Sequence, residues 1–180
     1  MKSKAPFSVP ERVGDDPEAD YSTSMPADYG PLARDLIPIR ALQPQDLPSI
    51  AAIDRATTGR NRSAYFQRKL DEVLNDSDVR ISLVAELDGR AVGYIMARVN
   101  LGEFGRSEPS AEMDTLGVDP SYQGRGVARA LLSQLLANLA TLRVDKALTE
   151  VDWTNTELVA FLTTCGFRPS SRLAFDLRLD

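Results

Sequence analysis

The residues able to do chemistry in this 180-residue chain crowd between positions 112 and 167. Leu116-Gly117-Val118 is followed by Asp119-Pro120-Ser121-Tyr122, then by Gln123-Gly124-Arg125-Gly126-Val127-Ala128-Arg129. The order reads as a strand, a short turn, and two glycines at the start of a helix. The first turn of a helix has unpaired N–H groups and the positive end of the dipole, so it takes up phosphate groups. Glycines there let a pyrophosphate approach the backbone, and Arg125 and Arg129 add charge. An ordinary β–α connection, with glycine chosen for its backbone angles, is the plainer reading of the same loop. A dinucleotide fingerprint fits poorly: its third glycine position holds Arg129, and five residues separate the strand from the loop's first glycine. Upstream, Glu112 and Asp114 stand two apart on a strand and share one face. Neighbouring carboxylates hinder each other's ionisation, which suits a base that must deprotonate an ammonium. Their plainer reading is a solvated or salt-bridged strand face.

Composition removes several alternatives. There is no histidine and one cysteine. Ser-His-Asp and Cys-His catalysis, His-based zinc sites and internal disulfides are therefore outside this chain's means, and no metal is expected. The formal charge of −5 argues against nonspecific nucleic-acid binding. No apolar run approaches the roughly 20 residues of a membrane span. Met1–Pro10 holds Lys2 and Lys4 but no apolar stretch, so it does not read as a secretory signal. The expectation is a cytoplasmic protein with no membrane partner. Cys165, ending an apolar helix, is expected as a buried small hydrophobe, and Trp153 as core or cleft wall.

The elements that must position these residues begin near residue 37. Six of the eleven prolines lie within the first 38 residues, and residues 1–36 hold seven acids and four bases without periodicity. That segment is expected as an extended or disordered arm. Its alternative is a strap through Phe7, Tyr21 and Tyr29, over the domain or across a homodimer. Residues 37–180 form the expected domain. Ile37–Leu42 reads as a strand, and Gln43-Pro44-Gln45-Asp46 opens a helix that Gly59 stops. Ser63 caps a second helix. Ile81–Leu87 and Ala91–Val99 flank Asp88-Gly89 as a hairpin. Residues Asn100–Ser110 read as a loop, Glu112–Val118 as a strand and Val127–Ala140 as a helix. Ala147–Trp153 reads as a strand, Thr156–Cys165 as a helix and Arg172–Leu179 as a closing strand. The order β-α-α-β-β-β-α-β-α-β implies an α/β fold, a mixed sheet with helices on both faces.

The motifs together resemble the GCN5-related N-acetyltransferase (GNAT) family over about residues 37–180. Gln123-Gly124-Arg125-Gly126-Val127-Ala128 is similar to its acyl-CoA pyrophosphate loop. Leu116-Gly117-Val118 is similar to the preceding strand, whose backbone pairs with pantetheine. Asn155, with Gly166-Phe167 eleven residues on, is similar to its second segment. The resemblance implies a mostly antiparallel sheet, acetyl-CoA as acyl donor, and direct transfer to a primary amine. That amine belongs to a small molecule, a lysine or a protein N-terminus. Residues 116–118, 123–129 and Asn155 would then hold the donor. Glu150-Val151, five residues before Asn155, resembles the ribosomal-protein N-terminal acetyltransferase branch, in which the glutamate is the general base. Glu112 instead resembles the base of histone acetyltransferase-like members. The usual acid, a tyrosine seven residues after the asparagine, is here Leu162, and Tyr94 and Tyr122 are the substitutes on hand. Arg60, Arg62 and Arg68 lie where the family lines its acceptor site and would disfavour cationic acceptors; otherwise they are a solvated face. The vacancy at Leu162 also admits a different class, a catalytically inert acyl-CoA-binding regulatory or interaction module.

Overall fold

Apolar residues recur along the first helical segment at a 3.6-residue period, and on one side of each strand at a period of two. These patterns build the elements of the computed structural model, which describes residues 36–75, 80–100, 109–171 and 177. The order is β1 (Ile39–Ala41), α1 (Leu47–Thr58), α2 (Ser63–Asn75), β2 (Arg80–Leu87), β3 (Arg90–Asn100), β4 (Ser110–Val118), α3 (Val127–Thr141), β5 (Lys146–Leu148) and α4 (Thr156–Thr164). Strands β1 to β5 lie side by side in sequence order, and every pairing is antiparallel except β4 with β5. The expected element order therefore holds through α4. The arm, most of the loop after Asn100 and the closing strand expected over Arg172–Leu179 fall outside the described residues, Leu177 apart.

Local signals act as read. Gly59 ends α1 with a left-handed φ of 69°. Asp88 and Gly89 turn the β2–β3 hairpin at φ 52° and 70°, the geometry that Asp-Gly favours. One correction concerns α2: Ser63 is its first helical residue, and Asn61 Oδ1 accepts its N–H at 3.1 Å.

The sheet separates two apolar layers. One packs α3 and α4 against it through Val127, Leu131, Leu135, Leu139 and Leu162, with Val92, Ile95 and Met113 from the strands. The other packs α1 and α2 through Ile50, Ile53 and Phe66 against Val84, Tyr94 and Met96.

β5 is shorter than the strand expected over Ala147–Trp153. It pairs with β4 only from Ser110↔Lys146 to Glu112↔Leu148. There β4 inserts an extra residue, Asp114, between the pairs Ala97↔Met113 and Met96↔Thr115, and such a bulge bends the strand that carries it. Thr149 Oγ1 then donates to Met113 O at 3.1 Å, a side chain taking a carbonyl that a longer β5 would have used. Trp153 falls in the turn beyond and is 84% exposed, not core.

Candidate active site

The parting of β4 and β5 leaves a strand edge that is unpaired among the described residues. Asp119 N–H donates to Val92 O at 2.9 Å. Peptide groups alternate along a strand, so Gly117 also turns its N–H toward β3. Leu116 and Val118 turn theirs outward, where β5 no longer runs.

Two cavities flank this edge. The first is lined by Asp54, Thr57 and Thr58 of α1, Arg62, Tyr94 of β3, residues 113–117 of β4, Thr149, Glu150 and Leu158. The second is lined by Val118, Tyr122, Gln123, Gly124, Gly126, Val127, Ala128, Arg129 and Phe161. They adjoin at the C-terminal end of β4, with Gly117 in one and Val118 in the other.

The second cavity fits an anionic pyrophosphate. Gly124 and Gly126 hold left-handed φ values of 73° and 84°, and a side chain at Gly124 would meet nothing within 4 Å. The N-cap of α3 is Gly126, which has no side chain to cap the helix, so among the described residues first-turn donors remain for a ligand. Arg125 is exposed, its guanidinium 5.2 Å from the Tyr122 ring centroid. Asn155 lines neither cavity; its Oδ1 accepts from Leu158 N at 3.2 Å and caps α4.

The two candidate bases part company. Glu150 lies two residues past β5 and lines the first cavity. Glu112 lies where β4 is still paired with β5, outside that cavity, and bonds Arg98 Nη2 at 2.9 Å. Asp114 reaches the cavity but bonds Lys69 Nζ at 2.6 Å. The pair expected to act on each other are thus each held by a separate cation. Leu162, at the usual acid position, is 4% exposed in the core. Tyr94 is also a poor proton donor. Burial and, second, the charge of Asp54 push its hydroxyl well above the ordinary value of 10.0, so it keeps its proton.

Asp54 was not legible as a site residue. It is 2% exposed, bonds Arg62 through Nε at 3.0 Å and through Nη2, and stands 3.5 Å from the Tyr94 hydroxyl. These hydrogen bonds hold the Arg62 proton more firmly than usual. The available signal was a carboxylate one turn after Ile50, on the buried stripe of α1. Thr115 was missed as well; its hydroxyl is buried without a partner among the described residues.

Comparison with known proteins bears on the family and the fold. Mycothiol acetyltransferase from Thermobispora bispora is 34% identical over 84 residues, 47% of this chain and 28% of that protein. N-alpha-acetyltransferase RimI from Mycobacterium tuberculosis is 44% identical over 48 residues, 26% of this chain and 30% of that protein. The chain thus aligns with about a third or less of these relatives' length. Among solved structures, AAC(6')-Iy in complex with the bisubstrate analog CoA-S-monomethyl-acetylneamine superposes with a TM-score of 0.68. It is 19% identical, over 80% of this chain and 99% of that one. Glucosamine-6-phosphate N-acetyltransferase from Arabidopsis thaliana gives a TM-score of 0.64 at 16% identity, over 80% and 99%. These likenesses show the fold. The sequence model described as the acetyltransferase (GNAT) family matches residues 47–167, more than half of the chain, and the chain belongs to that family.

Proposed function

We propose that the chain is an acetyl-CoA-dependent N-acetyltransferase that transfers acetyl directly to a primary amine. One juxtaposition carries the reading: the free outer edge of β4 runs from the glycine loop into a cavity that holds Glu150. When bound, acetyl-CoA supplies the acetyl group as an activated thioester. The first-turn N–H groups of α3, with Arg125 and Arg129, hold its pyrophosphate. The outward N–H groups of Leu116 and Val118 pair with the donor's amide-bearing arm and polarise the thioester carbonyl, an oxyanion-type contribution. Glu150, whose side chain has no partner among the described residues, takes the proton of the acceptor ammonium, directly or through water. Glu112 stays with Arg98 in a structural role. With Leu162 buried and Tyr94 holding its proton, solvent protonates the departing thiolate, which a thiol pKa near 8.5 permits. The acceptor belongs to a small molecule or a protein in the cytoplasm.

The burial of Leu162 favours a second reading, an inert acyl-CoA-binding module. An acceptor panel of simple amines, N-terminal peptides and lysine peptides, read by release of free CoA thiol, separates the two. Amine-dependent thiol release is expected. Binding of acetyl-CoA without thiol release across the panel would leave the inert module.

A further inference from the structure

Asp54 is a buried carboxylate that the proposed chemistry does not use. Taking a charge out of water is costly, and apolar residues of similar size often serve stability as well or better. Its surroundings supply a different gain. Asp54, on α1, takes the Arg62 guanidinium on both of its oxygens, through Nε at 3.0 Å and through Nη2. A two-pronged pair of this kind fixes the plane of the guanidinium as well as its place. Arg62 stands just ahead of α2, its central carbon 5.7 Å from the ring centroids of both Tyr65 and Phe66. Phe66 in turn meets the Tyr94 ring edge-on at 5.6 Å between centroids. That ring packs on the backbone of Gly117 with no room for a methyl group between them. Asp54 Oδ1 closes the circuit, 3.5 Å from the Tyr94 hydroxyl.

The chain of contacts ends between Leu116 and Val118, whose outward N–H groups face the donor. Apolar burial is non-directional, whereas a forked ion pair and edge-on rings hold one geometry. With no gap between Tyr94 and Gly117, a tilt of the ring moves the strand edge. Arg62 is thus engaged in holding these rings, its charge matched by Asp54, and is not the free cation expected to disfavour cationic acceptors.

Resting on the acetyl-CoA-binding reading above, we infer that the Asp54–Arg62 pair positions the donor. Through Phe66 and Tyr94 it sets the β4 edge at Leu116–Val118 for acetyl-CoA, acting by way of other side chains and not by contact.

The test is calorimetric titration of acetyl-CoA, with no acceptor present, into the native chain, Arg62→Lys, and the double substitution Asp54→Leu with Arg62→Met. Lysine keeps a charge beside Asp54 but loses the planar fork. The apolar pair removes both charges, so none is left buried alone. The Kd should rise roughly 3- to 30-fold in each variant, the scale on which residues linking two places act. In the apolar pair it should do so although the ligand-free protein melts near or above the native temperature. Asp46→Asn, which loosens the fold through the Arg40 cluster instead, should leave the Kd at its native value. Where Gly117→Ala has already displaced the edge, the apolar pair should add less than about twofold. A native Kd in both variants overturns the inference and leaves acetyl-CoA binding standing. So does a full additive effect on top of Gly117→Ala, or a rise that Asp46→Asn matches at an equal loss of stability. A native chain that does not bind acetyl-CoA overturns the donor reading itself. Arg62→Lys alters a side chain that is 40% exposed, so the inference is open to failure even where the apolar pair does not fold.

Discussion

The ring of Tyr94 packs directly on the backbone of Gly117: a methyl group added there would lie 2.5 Å from Tyr94 Cε1 and 2.9 Å from its hydroxyl oxygen. The ring has little freedom to withdraw, because Phe66 meets it edge-on at 5.6 Å between centroids and it is 2% exposed. Gly117→Ala should therefore cost about 1–3 kcal/mol, the usual penalty of overpacking a filled core. It should also displace the strand edge at Leu116 and Val118, so the melting-temperature rise given by acetyl-CoA should shrink with it. An unchanged melting temperature in the variant would show that the ring is not fixed against β4.

The glycine loop gives a charge-specific prediction. Gly126 begins α3 at φ 84°, a conformation that Asn and Asp tolerate better than most residues. Gly126→Asp and Gly126→Asn should thus fold alike. The aspartate sets a carboxylate against the pyrophosphate and should abolish most of the thermal shift given by acetyl-CoA, since that shift reports binding to the native state by mass action. The asparagine should keep a larger part of it. Equal losses would mean that bulk, not charge, decides.

Stability should depend on acid through one ion cluster. Arg40 binds Asp46 at 2.7 and 2.8 Å and Glu86 at 2.6 Å. Asp46 also accepts the Gln43 N–H at 2.8 Å. The Arg40 hydrogen bonds hold the Asp46 carboxyl below its ordinary 3.8, and Arg40 itself stays charged throughout. A lowered carboxyl stabilises the fold at pH above the ordinary value and loses that contribution as pH falls through the lowered one. Asp46→Asn should cost about 1–3 kcal/mol near neutral pH, the cost of unpairing buried hydrogen-bonding groups. The gap to the native chain should narrow below about pH 4, as chemical denaturation at several pH values would read.

The sequence was legible wherever the determinant was local. The glycine at Gly59, the Asp88-Gly89 turn and the apolar stripes of α1 and α3 act through their own neighbours, and each element stands as read. β5 was not, because its length depends on where β4 bulges, and the extra residue Asp114 is seen only against Met96 and Ala97 of another strand. The same bulge explains the site. Both glutamates have the right chemistry, but Glu112 lies on the paired side of Asp114 and Glu150 faces the opened side, a distinction that spacing alone does not carry. Asp54 escaped notice because a buried carboxylate on an apolar helix stripe makes sense only once Arg62 is seen beside it.

The most direct test of the account compares Glu150→Gln with Glu112→Gln by turnover per folded molecule across pH, using an acceptor that the native chain acetylates. A positioned general base contributes about 10²- to 10⁴-fold. Glu150→Gln should lose turnover by that order and lose the acidic limb of the pH–rate profile, leaving a rate that follows ionisation of the free amine, while acetyl-CoA binding survives. Glu112→Gln should keep both rate and limb. Native rate and native limb in Glu150→Gln would contradict the account.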